Sequence, residues 1–201
     1  MTRISVIDYG VGNLFSMGNA LRKTGAQVEV VKTREEILSA DGVVLPGVGN
    51  FGAAALKLNP LADAVREAAE NGAPILGSCL GMQLMFEQSE EAAGEGLGLL
   101  KGAIREFTGD LKTPHMGWNA ITATRESPLL EGIPDGSYFY FVHSYYPDPV
   151  NNMDTLAETT YGSRFTSIVE RGNVYGCQFH PEKSGKSGAV LLSNFVELVR
   201  R

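Results

Sequence analysis

The chain has 201 residues, 17 Lys and Arg against 23 Asp and Glu, a formal net charge of −6, and 43% hydrophobic residues. A chain this long buries roughly 70% of its unfolded surface and needs no disulfide or metal to hold a core, and its mixed composition excludes a disordered or coiled-coil protein. An acidic chain without a basic stripe excludes a nucleic-acid binder, and the longest apolar stretch, Ile75 to Phe86, falls short of the ~20 residues that span a bilayer.

In chain order, Ile4 to Ile7 reads as a short buried strand ending in the turn Tyr9-Gly-Val-Gly-Asn13, and Leu14 to Lys23 as a helix with apolar residues at 14, 17, 20 and 21. Gln27 to Val31 is β-branched and strand-like. Val43 to Leu45 is a further strand, stopped by Pro46-Gly47-Val48-Gly49. Leu61 to Ala69 reads as a helix that closes near Asn71-Gly72. Pro74 to Gly77 is the next strand and Leu80 to Glu87 the next helix. This strand–helix alternation predicts a parallel sheet with helices on both faces.

The second half changes character. Segments 99–108, 117–123, 137–142, 155–160, 165–170 and 174–179 read as strands joined by short turns, which predicts antiparallel hairpins at an edge or over one face of the sheet. Ser187 to Arg200 closes the chain as an amphipathic helix. No Pro-, Ser- or charge-rich linker interrupts the sequence, so residues 1–201 read as a single α/β domain: a mostly parallel, doubly wound, flavodoxin-like sheet with antiparallel strands added in the C-terminal half.

Gly77-Ser-Cys79-Leu-Gly81 follows an apolar strand and precedes a helix, the spacing of a nucleophile elbow with cysteine in the reactive position. A helix N-terminus favours the reactive thiolate, and the Leu80 N–H at the helix start is available to an oxyanion. Alone, the pentapeptide equally fits a small cysteine buried in a close-packed turn. The balance moves with Gln178-Phe-His180-Pro-Glu182, where Pro181 biases His180 towards extended geometry. In extended chain, residues two apart point the same way, so Glu182 holds one nitrogen of His180 while the other takes the thiol proton. Pro46-Gly47-Val48-Gly49 ends a parallel strand, where open α/β sheets place ligands, and offers a second oxyanion N–H.

Other chemistry finds little support. Tyr9-Gly-Val-Gly-Asn13 is not a dinucleotide fingerprint, and no Walker lysine follows Gly49. His115 and His143 lack metal-ligand spacing, so no metal or cofactor is expected. Cys177 alternates with Gln178 in a strand and reads as a core thiol. Two cysteines without a CxxC pattern, and an N-terminus without an apolar leader, predict a cytoplasmic protein with no membrane association.

Gly-Ser-Cys-Leu-Gly-Met-Gln at 77–83 together with His-Pro-Glu at 180–182 resembles the class I (triad) glutamine amidotransferases. Asp8 to Leu14, Leu45 to Gly49, Pro114 to Asn119, Phe141 to Tyr145 and Phe179 to Ser184 narrow the resemblance to the glutaminase subunits of imidazole glycerol phosphate synthase, from residue 3 to the C-terminus. Ser78 departs from the pattern, standing where that family usually has an apolar residue.

The resemblance implies that Cys79, His180 and Glu182 hydrolyse L-glutamine, with the Val48 and Leu80 amides as oxyanion hole and Gly49, Gln83, Ser144 and Tyr145 holding the substrate. It implies a heterodimer with a (β/α)₈ cyclase, which takes the ammonia to make imidazole glycerol phosphate and aminoimidazole carboxamide ribotide in histidine biosynthesis. Asn13, Met116, Trp118, Tyr140 and Lys183 are then expected on the side facing that partner and its ammonia path. A glutaminase serving another synthase is the alternative within the class. A cysteine peptidase or thiol sensor on a similar fold is the alternative outside it.

Overall fold

The computed structural model describes residues 2–201. Five parallel strands form one side of an eight-stranded sheet: β1 (Arg3–Ile7), β2 (Gln27–Val31), β3 (Gly42–Gly47), β4 (Ile75–Cys79) and β13 (Val174–Cys177). The sheet order is β2-β1-β3-β4-β13-β12-β11-β8, in which β12 (Ser163–Arg171), β11 (Thr155–Tyr161) and β8 (Thr122–Ala123) extend it antiparallel. Two small sheets complete the C-terminal half. One joins β10 (Tyr145–Pro149), β6 (Gly102–Glu106) and β5 (Gln88–Ser89); the other pairs β7 (His115–Ala120) with β9 (Tyr138–His143). The predicted α/β architecture therefore holds, with antiparallel strands both at the sheet edge and outside the main sheet.

The central strands are buried on both faces, as parallel strands under helices must be. Val43, Leu45 and Ile75 pack towards α3 (Phe51–Glu70), whereas Val44 and Leu76 pack towards α1 (Leu14–Arg22) and α5 (Gly185–Arg200). The period-2 alternation of strand side chains thus feeds two apolar layers from one run of sequence.

Several boundaries differ from expectation. The helix predicted over 61–69 is α3 and runs for 20 residues from Phe51, with Pro60 inside it. Proline there forfeits one helical hydrogen bond, but the turn around Leu56 and Pro60 faces outward, Leu56 being exposed, so water can satisfy the freed carbonyl. The helix expected over 80–87 is α4 (Leu80–Gln83), after which Met85 and Phe86 close tight turns on Met82 and Gln83 and bury Leu84 to Phe86. Helix α2 (Arg34–Leu38) was not predicted. It is one short turn stabilised by a capping box between Thr33 and Glu36, too short to show a period. The segment read as one strand over 117–123 splits into β7 and β8, which belong to different sheets.

One end of the main sheet gathers the loops that matter. Gly47 lies opposite Cys79 in the β3–β4 ladder, and Cys177 opposite Ser78 in β13–β4. Loop 47–50, Cys79 and segment 178–183 therefore emerge side by side. The packing beneath them leaves no slack: a Cβ on Gly81 would lie 1.8 Å from the Leu45 carbonyl oxygen, and one on Gly47 would lie 2.6 Å from the Gly81 nitrogen.

Candidate active site

Cys79 ends β4 and precedes α4 with φ 53° and ψ −116°, the one positive φ outside glycine among the described residues. A side chain is held in this sparsely populated region only when its surroundings over-determine it, at a cost of order 1–3 kcal/mol. Here Gly77 and Gly81 permit the contacts: a Cβ on Gly77 would meet the Met82 backbone nitrogen at 2.7 Å. The turn presents the thiol to a cavity of about 310 Å³ at the end of the sheet.

His180 follows β13, with its backbone N–H donating to the Tyr140 carbonyl at 2.9 Å. The Ser184 hydroxyl donates to the His180 carbonyl at 2.6 Å and accepts from the Tyr140 N–H at 3.0 Å, locking the strand end to β9. Glu182 reaches His180 by a different local geometry from the one expected. Pro181–Lys183 is a single 3₁₀ turn rather than extended chain. The turn bends the Glu182 carboxylate back, so that His180 Nδ1–H donates to Oε1 at 3.0 Å. The other imidazole nitrogen is left for Cys79.

Burial alone would lower the His180 pKa. Hydrogen bonds to the Cys79 sulfur and the Glu182 carboxylate, with the charges of both, outweigh it and raise the pKa to about 9. The imidazolium is the favoured form beside these two groups. Both side chains of the His180–Glu182 pair are nearly fully buried, and Glu182 Oε2 has no hydrogen-bond partner.

The cavity wall unites most residues chosen from sequence. Cys79, His180, Val48, Leu80, Gly49, Gln83, Ser144, Tyr145 and Lys183 all line it. Glu182 stands behind His180, off the wall. Of the residues expected to face a partner, Met116 and Trp118 are exposed on β7, and Trp118 lies opposite the half-buried Tyr140 with ring centroids 6.0 Å apart. Lys183 is also exposed. Asn13 has a local task as well: it caps α1 by accepting from the Ser16 N–H, and α1 packs against the 181–183 turn.

Sequence reasoning missed part of the surround. Glu91, Pro114, Val142 and His143 also line the cavity. Gln178, fully buried, donates from Nε2 to Cys79 Sγ at 3.8 Å and accepts from Gln83 Nε2 at 3.1 Å through Oε1. Its signal was present, since residues 178 and 180 share strand parity. Nothing local foretold Glu91, whose carboxylate accepts from the Phe51 N–H at 2.6 Å across 40 residues. Ser78 is buried and donates to the Phe179 carbonyl at 3.4 Å, so its hydroxyl touches the strand leading to His180 without reaching the reactive groups. Cys177 is the contrast to Cys79: it is fully buried, and desolvation pushes its thiol pKa well up.

The sequence profile of the class-I glutamine amidotransferases matches residues 5–198. The imidazole glycerol phosphate synthase subunit HisH of Halobacterium salinarum is 48% identical, over 96% of this chain and 92% of its own length. HisH of Moorella thermoacetica is also 48% identical, over 100% and 97% respectively. Among solved structures, PurLQS from Thermotoga maritima superposes with a TM-score of 0.80 at 21% identity, covering 98% of both chains. The glutaminase domain of Trypanosoma brucei CTPS with bound acivicin gives 0.71 at 17%, over 99% and 93%. At these identities the structural matches establish the fold alone.

Proposed function

The chain belongs to the class-I glutamine amidotransferase family, and we propose that it is the glutaminase of an imidazole glycerol phosphate synthase, residues 1–201 forming one amidotransferase domain. The single observation that carries the reading is the convergence of a strained, cavity-facing Cys79 with the buried His180–Glu182 pair on one sheet end.

In this reading the Cys79 thiolate attacks the side-chain carbonyl carbon of glutamine. The electron pair of the carbonyl moves to oxygen, which the Val48 and Leu80 N–H groups stabilise; such a donor is worth about 2.7–4 kcal/mol in the transition state. The tetrahedral intermediate collapses as the His180 imidazolium protonates the leaving nitrogen, releasing ammonia and a γ-glutamyl thioester. His180, now neutral, takes a proton from water, whose oxygen attacks the thioester. Glutamate leaves and the thiolate–imidazolium pair is restored. Glu182 orients His180 and stabilises its charge throughout. Gly49, Gln83, Ser144 and Tyr145 hold the substrate.

The exposed Met116 and Trp118, with Tyr140, Lys183 and Asn13, supply the surface for a (β/α)₈ cyclase in a heterodimer. Direct ammonia transfer has a chemical reason: ammonia released to water at neutral pH protonates and loses its nucleophilic lone pair. The product of the complex is imidazole glycerol phosphate, with aminoimidazole carboxamide ribotide, for histidine biosynthesis. The cytoplasm is the proposed place of this work; among the described residues no helix is long and apolar enough to cross a membrane.

Regulation follows from loop 47–50. Gly49 has φ +110° and open space around it, and Val48 is 44% exposed, so this end of the loop is free to reorient an N–H on partner docking. The test is the glutamine hydrolysis rate of the chain alone, with cyclase, and with cyclase plus its ligand. A rise of roughly 10²–10³ in that order is expected if one oxyanion donor is switched; three equal rates overturn the gating and the assignment to this synthase.

A further inference from the structure

Two histidines outside the reactive pair are buried beside the cavity with every ring nitrogen partnered. His143 Nδ1 lies 2.7 Å from the Tyr145 carbonyl, and His143 Nε2 lies 2.9 Å from His115 Nδ1. His115 Nε2 in turn lies 3.2 Å from Asn119 Nδ2. A carbonyl only accepts, so the proton of His143 sits on Nδ1 and its Nε2 is an acceptor. His115 must then donate from Nδ1, which leaves its Nε2 to accept from the Asn119 amide. Asn119 is oriented independently, since its oxygen accepts from the Ala120 N–H at 2.8 Å and its nitrogen also donates to the Thr160 carbonyl at 3.0 Å. The direction of every bond is thereby determined.

The chain continues into the substrate wall. The Tyr145 carbonyl also accepts from Gln83 Nε2 at 3.1 Å, and the second proton of that amide goes to Gln178 Oε1 at 3.1 Å. Both protons of the Gln83 carboxamide are committed, so Gln83 offers the cavity an acceptor oxygen and no donor. We propose that His115 and His143, anchored by Asn119, are positioning residues for substrate binding: they brace the β9–β10 corner so that the Tyr145 carbonyl holds Gln83 as an acceptor for an N–H donor of the glutamine substrate.

Three features support this over passive filling of the core. The His143 bond spans two residues, His143 to Tyr145, and so closes the corner that carries Ser144. His115 is stacked between Phe141 and Tyr161, with centroids at 5.0 and 4.1 Å, which restricts ring rotation. Two imidazoles in an aromatic cluster are tolerated only when satisfied, because each unpaired buried polar atom is costly. The relay also begins on β7, the strand on which Met116 and Trp118 are exposed, so it ties that surface to the substrate wall.

The inference rests on the reading of Gln83 as a glutamine-holding position, and the test has two arms that fail separately. In the first, nitrogen chemical shifts of the intact chain at neutral pH report the tautomers. Both His115 and His143 are expected as neutral Nδ1–H forms, and an Nε2–H form at His143 overturns the relay whatever the protein does to glutamine. In the second, glutamine hydrolysis is measured with the cyclase present. His143→Leu is expected to raise KM roughly tenfold with kcat within about twofold, the signature of lost ground-state and transition-state binding alike. His143→Asn, whose amide nitrogen occupies the place of Nδ1, is expected to recover most of that loss. Equal KM in wild type and His143→Leu, or a kcat loss without a KM change, overturns the proposal. If wild type itself hydrolyses no glutamine, the functional reading fails while the tautomer arm still decides the relay.

Discussion

The two halves of the molecule contribute to the site by opposite means. The parallel half, β1 to β4, supplies Cys79 and loop 47–50 through local backbone geometry: a strand ends, the chain turns sharply, and a helix begins. The antiparallel half supplies Pro114, Val142, His143, Ser144 and Tyr145 through strand pairing between distant segments and the hydrogen bonds of the buried His143. Strain and solvation are handled by different parts of one fold. The proposed nucleophile stands on a turn that only tight packing permits, and the proposed substrate wall stands on a polar network that only complete hydrogen bonding permits. His180 joins them, since β13 runs parallel to β4 but arrives from the antiparallel half.

The largest effect is expected at Cys79. Cys79→Ala is expected to reduce glutamine hydrolysis to background while leaving the fold intact, because no neighbouring group replaces the thiolate. An electrophilic glutamine analogue should modify Cys79 and spare the fully buried Cys177; mass spectrometry locating the adduct on Cys177 would reverse the assignment.

A smaller effect sharpens the role of the joining segment. His180→Ala removes the proton carrier, a loss of roughly 10²–10⁴-fold, and Glu182→Gln should cost less. The pH profile separates the two roles further. The folded chain raises His180 from 6.5 to about 9, so it keeps a proton that the unfolded chain releases above 6.5. That stabilisation is complete below 6.5 and lost as pH rises through about 9. Glutamine turnover, which uses the imidazolium, should share this alkaline limb, and Glu182→Gln should move it to lower pH by removing one of the groups that raise the pKa. An unmoved limb in Glu182→Gln would show that the carboxylate does not govern His180.

The smallest effects distinguish packing from conformation within the parallel half. Gly81→Ala places a methyl against the Leu45 carbonyl, where neither backbone can yield, so a loss of about 3 kcal/mol or more is expected. Gly49→Ala meets nothing within 4 Å and bears only its φ of +110°, a cost of about 1–2 kcal/mol. Thermal melts of both variants measure the contrast, and equal losses would deny that the turn under Cys79 is held by packing.

Much of this was legible in residue order. The strand–turn–helix around Cys79, the Pro46 to Gly49 turn and the His180-Pro-Glu182 segment each announce themselves within a few residues, because glycine, proline and a β-branched run act on the backbone locally. What stayed hidden had no local signal. Helix α3 began ten residues before its predicted start, because Pro60 reads as a stop until its outward position is known. The His115–His143 pair gave no signal beyond its lack of metal-ligand spacing, because the partner of each lies 28 residues away in the chain.

Residue order alone specifies the fold class and marks Cys79, His180, Glu182 and the 46–49 loop as candidates for one site, since these depend on backbone preferences and on residue chemistry at short spacing. Only the tertiary structure decided how they meet. It made the 181–183 segment a 3₁₀ turn where extended chain was expected. It also brought Gln178 against Cys79, although they lie 99 residues apart, and committed both amide protons of Gln83 to the Tyr145 carbonyl and Gln178 Oε1. The physical reason is that burial, pKa and hydrogen-bond direction depend on every neighbour in space, and sequence order records only the neighbours along the chain.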